Sequence, residues 1–282
     1  MKVFISIDLE GISGVCQDEQ TTHGSADWRA ARELMRGDLD AALDGCLAAG
    51  ADEVVVRDAH DEGDNLDTNE LPAHVSLISG TQWGLSMMDG VDTGCDAALL
   101  LGYHARAGTL AAVLDHTFMD EIYEVTVQDG AAWTPVGELA LSAAVAGAFG
   151  VPMVFASGDD KLATEAQALL PGVVTAVTKY GLSRHSARLL APDVAQSAIT
   201  AGAREALERL QSAEGEVRPQ PLDWSGRALR VTFGRTYLCD AAATFPGVRR
   251  LDGRTLEIPA AQGGDFATVY RAFVAVAALA GA

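Results

Sequence analysis

Short apolar runs alternate with helically spaced apolar residues along the first two thirds of the chain. Residues 2–8 contain a β-branched run typical of a buried strand. Residues 26–49 carry apolar side chains at helical spacing, and Gly50 follows as a suitable C-cap. Residues 53–57 (EVVVR) are the next predicted strand. This order predicts a β-α-β unit, in which the strands are parallel and the crossover is right-handed.

The same alternation continues to about residue 177. Further strands are predicted at residues 75–78, 97–101, 122–127, 152–156 and 173–177. Further helices are predicted at residues 138–149 and 159–170. Because the segment AALLL at residues 97–101 is entirely apolar, we expect it to be a central strand. The alternation indicates an α/β fold with a mostly parallel sheet flanked by helices.

The pattern changes after Ala191. Pro192 opens a predicted helix at residues 193–210. Predicted strands at residues 228–233 and 255–258 and a last helix at residues 265–279 follow. We interpret residues 192–282 as a smaller C-terminal α+β lobe, and residues 1–191 as the α/β domain that carries the metal-binding and catalytic chemistry.

The charge of the chain argues against two classes of partner. Lys and Arg number 20 against 39 Asp and Glu, which gives a formal net charge of −19. Nucleic-acid binders and anionic membranes both require a basic surface, so neither partner is expected.

The four cysteines form no CxxC pair, the N-terminus lacks the features of a signal peptide, and the apolar run from Ala272 is too short to span a bilayer. We therefore expect a cytoplasmic protein.

Acids and histidines follow three of the predicted strands. Asp8 and Glu10 end the first strand, and residues two apart in an extended segment point the same way. His60 follows the second strand, and His104 follows the apolar strand. Since a divalent cation relieves the repulsion between neighbouring carboxylates, this nitrogen and oxygen set suits zinc or manganese. Each piece alone fits a solvated loop acid or a structural histidine, but the joint occurrence favours a metal site.

Two further residues cannot be ranked by their position alone. His116 lies a short loop beyond His104, and Glu138 opens a predicted helix, where an acid is favourable in any protein. The chain has no dinucleotide fingerprint, no Walker lysine loop and no G-x-S-x-G nucleophile elbow. We therefore predict no nucleotide cofactor.

Several of these segments, taken in order, resemble the D-aminopeptidase family of zinc metallopeptidases (the DppA type). The matching segments are Ser6-Ile7-Asp8-Leu9-Glu10-Gly11-Ile12-Ser13-Gly14, Asp58-Ala59-His60, Ile78-Ser79-Gly80, Leu101-Gly102-Tyr103-His104-Ala105-Arg106-Ala107, His116-Thr117, Val136-Gly137-Glu138-Leu139 and Ser157-Gly158-Asp159-Asp160. The residue before His116 departs from the family pattern, because Asp115 stands where a small or uncharged polar residue is usual.

The resemblance implies a site with two Zn²⁺ ions per chain. Asp8 would bridge the metals, Glu10 and His60 would complete one of them, and His104 and Glu138 the other. His116 matches the family's catalytic histidine. The family removes N-terminal D-amino acids from short peptides and amides, and its members can form ring-like homo-oligomers. A homo-oligomer acting on short D-amino-acid-containing peptides is therefore expected.

The same ligand types also serve other proteins. A two-metal phosphoesterase would need a similar set of carboxylates and histidines. A non-catalytic, metal-stabilised binding protein would need a closed site without activity. A comparison of p-nitrophenyl phosphates with D-amino-acid amides as substrates separates these alternatives from an aminopeptidase.

Overall fold

The protein is described by a computed structural model that covers residues 1–69, 71–82, 84–212 and 218–281. Its main sheet has seven strands. Their spatial order is β3 (Val75–Ile78), β2 (Glu53–Asp58), β1 (Lys2–Ile7), β4 (Ala97–Tyr103), β7 (Met153–Asp159), β8 (Val174–Ser183) and β9 (Ser186–Leu189). The first six strands in this spatial order are parallel to one another, and the last strand, β9, pairs antiparallel with β8.

Helices cover both faces of this sheet. The α-helices of the described residues are α1 (Asp18–Thr21), α2 (Ala26–Ala48), α3 (Glu138–Ala148), α4 (Asp160–Leu169), α5 (Pro192–Gln211), α6 (Thr236–Ala242) and α7 (Phe266–Gly281). Among them, α1 packs on α2, and α6 packs on α7 and on β10 (Leu229–Phe233) rather than on this sheet. The Ser25 hydroxyl caps α2 by accepting the N–H of Trp28 at 2.9 Å. Pro192 opens α5, where its fixed φ and missing N–H suit a first helical turn.

The buried residues of the strands alternate between two cores. In β1, Val3 and Ile5 pack into the core that includes α2 and α5, whereas Phe4 packs into the core that includes α3 and α7. Leu99 and Leu100 of β4 divide in the same way. Because successive side chains of a strand point to opposite faces, a strand covered on both faces is apolar throughout. The uninterrupted apolar segment in β4 follows from this position.

The strands outside the main sheet form a second sheet of five antiparallel strands. Its spatial order is β11 (Arg249–Arg250), β12 (Thr255–Ile258), β10 (Leu229–Phe233), β5 (Ile122–Asp129) and β6 (Ala132–Val136). The alternation of predicted strands and helices along the sequence groups β5 with the parallel strands, but in the structure β5 pairs with β10 instead. Val125 and Val127 are buried while Glu124 and Gln128 are partly exposed, a pattern typical of a sheet with one solvated face.

The mostly parallel sheet flanked by helices is confirmed, and the structure adds an antiparallel sheet beside it. The antiparallel sheet takes strands from both sides of residue 191, and the domain division at that residue stays a prediction. The hairpin strand β9 and the strand β6 were not predicted from the sequence. Within the described ranges, no helix is both long and apolar enough to cross a membrane.

Candidate metal centre

Four of the five predicted metal ligands lie beyond the carboxyl ends of neighbouring strands. Asp8 and Glu10 follow β1, His60 follows β2, and His104 follows β4. These strands are adjacent in the order β2-β1-β4, so their carboxyl ends meet at one edge of the sheet. Glu138 joins them from the first position of α3, directly after β6. All five side chains are buried, with no residue more than 9% exposed.

Asp8 lies at the centre of this cluster, because its two carboxylate oxygens face two different histidines. Oδ1 lies 3.2 Å from Nδ1 of His60, and the same nitrogen lies 3.2 Å from Oε2 of Glu10. Oδ2 lies 3.5 Å from Nε2 of His104, which in turn lies 3.4 Å from Oε2 of Glu138. The five side chains thus form two histidine–carboxylate groups that share Asp8.

Two glycines allow the ends of β1 and β4 to approach so closely. A Cβ atom on Gly11 would lie 2.0 Å from the carbonyl oxygen of Tyr103. Gly102 has a φ of +64°, and a Cβ atom there would lie 2.3 Å from the carbonyl oxygen of Asp8. Any side chain at either position would therefore separate the two strand ends that carry Asp8 and His104.

Backbone carbonyl groups determine which ring nitrogen of each histidine faces the centre. His60 donates from Nε2 to the carbonyl of Thr21 at 2.9 Å, and His104 donates from Nδ1 to the carbonyl of Ala105 at 3.1 Å. A carbonyl oxygen only accepts hydrogen bonds, so these nitrogens carry the hydrogen. In the neutral rings, Nδ1 of His60 and Nε2 of His104 are therefore left with lone pairs directed at the carboxylates.

A lone pair that faces a carboxylate is unfavourable unless a cation or a proton lies between them. Oε2 of Glu10 and Nε2 of His104 are both buried and make no hydrogen bond. Such unsatisfied buried atoms are rare in native proteins, and a bound ion is one way to satisfy them. Imidazole nitrogen and carboxylate oxygen are also the donors that zinc prefers. The residues present therefore fit a divalent metal centre.

The ionisation of the protein groups reflects the same crowding. Burial, followed by the charge of Glu10, raises the pKa of Asp8 to about 7. Burial alone would lower the pKa of His104, but the nearby carboxylate of Glu138, reinforced by Asp8, raises it to about 10. The carboxylates thus attract positive charge strongly, and a metal ion supplies that charge without any protonation.

His116 lies beside the five ligand candidates and is more open to solvent. Its ring stacks on that of His104, with a centroid distance of 4.0 Å and an interplanar angle of 15°. Its Nδ1 donates to the carbonyl of Leu114 at 2.9 Å, which leaves Nε2 as the free nitrogen, 3.7 Å from Oε1 of Glu138. The side chain is 20% exposed. His116 can therefore exchange a proton with a molecule in the adjoining cavity.

The cavity above the cluster has a volume of about 560 Å³. His116, Met87 and Phe118 line it together with the proposed metal ligands, apart from the deeply buried His104. Among the described residues that line the cavity, none is a lysine or an arginine. A cavity of this size fits a small molecule or a short peptide, and its acidic lining favours a cationic group such as a free amine.

Sequence patterns alone did not reveal a buried lysine that supports the centre. Lys179 in β8 donates from Nζ to three backbone carbonyl groups, those of Glu10 at 2.5 Å, Ile12 at 2.8 Å and Val15 at 2.6 Å. The side chain is fully buried, and burial lowers its pKa to about 8. Lys179 thus holds the loop that carries Glu10. No local motif marks it, because its partners lie more than 160 residues away.

Comparison with known proteins shows similarity along nearly the whole chain. The model of a family described as D-aminopeptidase matches residues 1–275. A D-aminopeptidase of Bacillus subtilis (strain 168) is 32% identical over 281 residues, which cover 99% of this chain and 98% of that protein. The solved structure of the Zn-dependent D-aminopeptidase DppA from Bacillus subtilis, described as a self-compartmentalizing protease, superimposes with a TM-score of 0.89. That structure is 32% identical, with 99% of this chain and 98% of the other covered.

Proposed function

Because the chain belongs to the D-aminopeptidase family, we propose that it is a zinc-dependent aminopeptidase that removes N-terminal D-amino acids from short peptides or amides at a two-metal site. One observation carries the proposal. The two oxygens of Asp8 face two separate histidine–carboxylate groups, and this arrangement supports a shared ligand for two metal ions.

Five residues would hold the metals. Asp8 would be shared, Glu10 and His60 would complete one site, and His104 and Glu138 the other. The ligand atoms of Asp8, Glu10 and His104 lie within 4.8 Å of one another, as do those of His104, His116 and Glu138. His104 is therefore also central, but its single free nitrogen serves only one metal, whereas a carboxylate can bridge two. For this reason we assign the shared position to Asp8.

Bound zinc would polarise the scissile carbonyl group and increase the acidity of a water molecule. The remaining chemistry belongs to the chain. Since Nδ1 of His116 is held by the carbonyl of Leu114, the free Nε2 faces the cavity, where it can accept the proton that the attacking water loses and pass it to the leaving amine. Met87 and Phe118 add apolar surface to the cavity lining, and a drier cavity would strengthen the electrostatic interactions inside it.

The substrate class follows from the cavity and the relatives together. A volume of about 560 Å³ suits a dipeptide or tripeptide better than a folded protein. The preference for a D-amino acid is proposed from the relatives, both of which are named D-aminopeptidases. A phosphate ester is the weaker candidate, because the lining carboxylates would repel a phosphate dianion.

We also propose a homo-oligomer in the cytoplasm. The solved relative is described as self-compartmentalizing, and a closed assembly of copies would restrict entry to short peptides. Light scattering coupled to size-exclusion chromatography measures the number of copies. A monomer at micromolar concentration would contradict this part of the proposal.

Elemental analysis of the purified protein tests the function together with peptide hydrolysis. We expect about two zinc ions per chain and cleavage of D-Ala-D-Ala in preference to L-Ala-L-Ala. Chelation should abolish this cleavage, and added zinc should restore it. A protein that holds zinc but cleaves only p-nitrophenyl phosphate would favour the phosphoesterase, and one that holds zinc but cleaves neither substrate class would favour a binding protein.

A further inference from the structure

The loop that carries His116 adopts a backbone conformation that its own residues disfavour. This loop, residues 104–121, connects β4 to β5 and is called the His116 loop below. Ala111, Leu114 and Phe118 have φ angles of 59°, 51° and 70°. Residues with a Cβ atom avoid this left-handed region, and several of them in one segment persist only when the surroundings hold them. Contacts from outside the loop must therefore maintain the position of His116.

One contact comes from the start of α4. Asp159 accepts the N–H of Val113 at 2.8 Å through Oδ2. Its other oxygen, Oδ1, accepts the N–H groups of Lys161 and Leu162 and so caps α4. This buried carboxylate ties the His116 loop to the end of β7 and explains why an acid occupies that position.

A second set of contacts comes from Arg184, which lies in the turn between β8 and β9. Its carbonyl group accepts the N–H of Leu114 at 2.9 Å. Its guanidinium group donates from Nη1 to the carbonyl of Asp115 and from Nη2 to Oδ1 of Asp120 at 2.8 Å. Arg184 therefore holds the chain on both sides of His116.

The connection from Arg184 to the imidazole ring is short. Leu114 donates its N–H to Arg184, and its carbonyl accepts the hydrogen bond from Nδ1 of His116. Asp115, the residue between them, is bound by the guanidinium group. The Asp115 carboxylate accepts the N–H of Gly108 at 2.8 Å, which closes the loop on itself. A shift of this backbone would turn the ring away from its stacked position on His104.

We propose that Arg184 is a positioning residue for His116, acting through the Leu114 and Asp115 peptide groups to aim the imidazole at the reacting atoms. The inference rests on the proposed aminopeptidase function, in which His116 moves a proton. Because Arg184 is not among the five ligand candidates, its loss should lower turnover and leave metal binding intact.

Two substitutions and one control test this role. Arg184→Ala removes the guanidinium contacts but keeps the backbone carbonyl, and the side chain is 32% exposed, so the variant should fold. Arg184→Lys keeps the positive charge but replaces the planar fork, whose donors lie on separate nitrogens, by a single ammonium nitrogen. Arg188→Ala is the matched control, since Arg188 lies in β9 and stacks on Tyr180 at 4.1 Å.

For Arg184→Ala we expect kcat to fall about 10- to 100-fold, the range typical when a reacting group is misplaced or a supporting contact is lost. KM should change less than about threefold, and the zinc content should match that of the wild type. Arg184→Lys should recover part of the loss, and Arg188→Ala should retain wild-type kcat. Hydrogen–deuterium exchange should accelerate in residues 112–118 while the amides of β1 and β4 stay protected.

Three outcomes would overturn the proposal. The first is a kcat of Arg184→Ala within about twofold of the wild type, and the second is unchanged exchange in residues 112–118. The third is a loss of zinc in step with activity, which would make Arg184 a support of the metal centre. If the zinc-loaded wild type cleaves no peptide or amide, the proposed function fails by itself, and the exchange measurement still decides whether Arg184 orders the loop.

Discussion

Replacement of His116 by alanine should separate catalysis from metal binding. The imidazole packs against His104 at a centroid distance of 4.0 Å, and its Nε2 lies 3.7 Å from the carboxylate of Glu138. The five side chains assigned to the metals remain in place in this variant. We therefore expect His116→Ala to keep its zinc and to lose most of its turnover.

The expected size of the loss follows from the role of the ring. A positioned acid or base contributes roughly 10²- to 10⁴-fold to a hydrolysis rate, or about 3–5 kcal/mol of transition-state stabilisation. The free energy of unfolding should change less. The variant loses one hydrogen bond to the carbonyl of Leu114, worth about 1 kcal/mol, and the contacts of a ring that is 20% exposed.

The assay measures kcat for D-alanine amide, zinc content by elemental analysis and the midpoint of denaturation in parallel. His104→Ala is one control, and it should lose zinc together with activity. His74→Ala is the other, because His74 precedes β3 at the opposite, amino-terminal edge of the sheet and should change neither quantity. Added imidazole should restore part of the turnover of His116→Ala, since it can occupy the space left by the ring.

Two results would refute this reasoning. Turnover within about threefold of the wild type at full zinc content would remove His116 from the reaction. A loss of one zinc equivalent would instead make His116 a ligand, in line with the approach of its ligand atom to those of His104 and Glu138 within 4.8 Å.

Three further predictions concern the metals. Asp8→Asn should lose both zinc ions while Glu10→Gln loses one, because among the five proposed ligands only Asp8 faces both histidine–carboxylate groups. Equal losses of zinc in elemental analysis would contradict the shared position of Asp8. Lys179→Met should weaken zinc binding and lower the free energy of unfolding, because three buried carbonyl groups lose their hydrogen-bond donor at about 1–3 kcal/mol each. The variant no longer buries a charge, which offsets part of this loss. Zinc affinity and a denaturation midpoint at wild-type values would refute the prediction. Chelation should lower the free energy of unfolding by about 3 kcal/mol for each bound zinc ion, with zinc at 100 times its dissociation constant. Thermal unfolding with and without chelator measures this loss, and an unchanged melting temperature would argue against metal binding to the folded state.

The secondary structure of the parallel sheet could be predicted because its signals are local. The run EVVVR, the apolar segment AALLL and the helical spacing before Gly50 each depend on neighbouring residues, and each corresponds to an element of the structure. The antiparallel sheet was harder to predict. β5 has the alternating pattern of a half-buried strand, but its partner β10 begins at Leu229, about a hundred residues further along the chain. Local periodicity contains no information about that pairing.

The candidate site was predictable to different extents. Asp8, Glu10, His60 and His104 follow predicted strand ends, so the rule for open parallel sheets was sufficient to group them. His116 and Glu138 were identified only through the family resemblance, since a histidine in a loop and an acid at a helix start have ordinary explanations. Their roles as ligands or as the proton donor stay predictions.

By itself, the sequence determined which segments form strands and helices, which strand ends carry acids and histidines, and which family the chain resembles. Only the tertiary structure decided that the two oxygens of Asp8 face different histidines, that Lys179 holds the carbonyl of Glu10, and that Arg184 binds both sides of His116. The physical reason is the range of the interactions. Periodicity and capping act between residues a few positions apart, whereas hydrogen bonds of about 3 Å between distant segments depend on how every strand and helix packs.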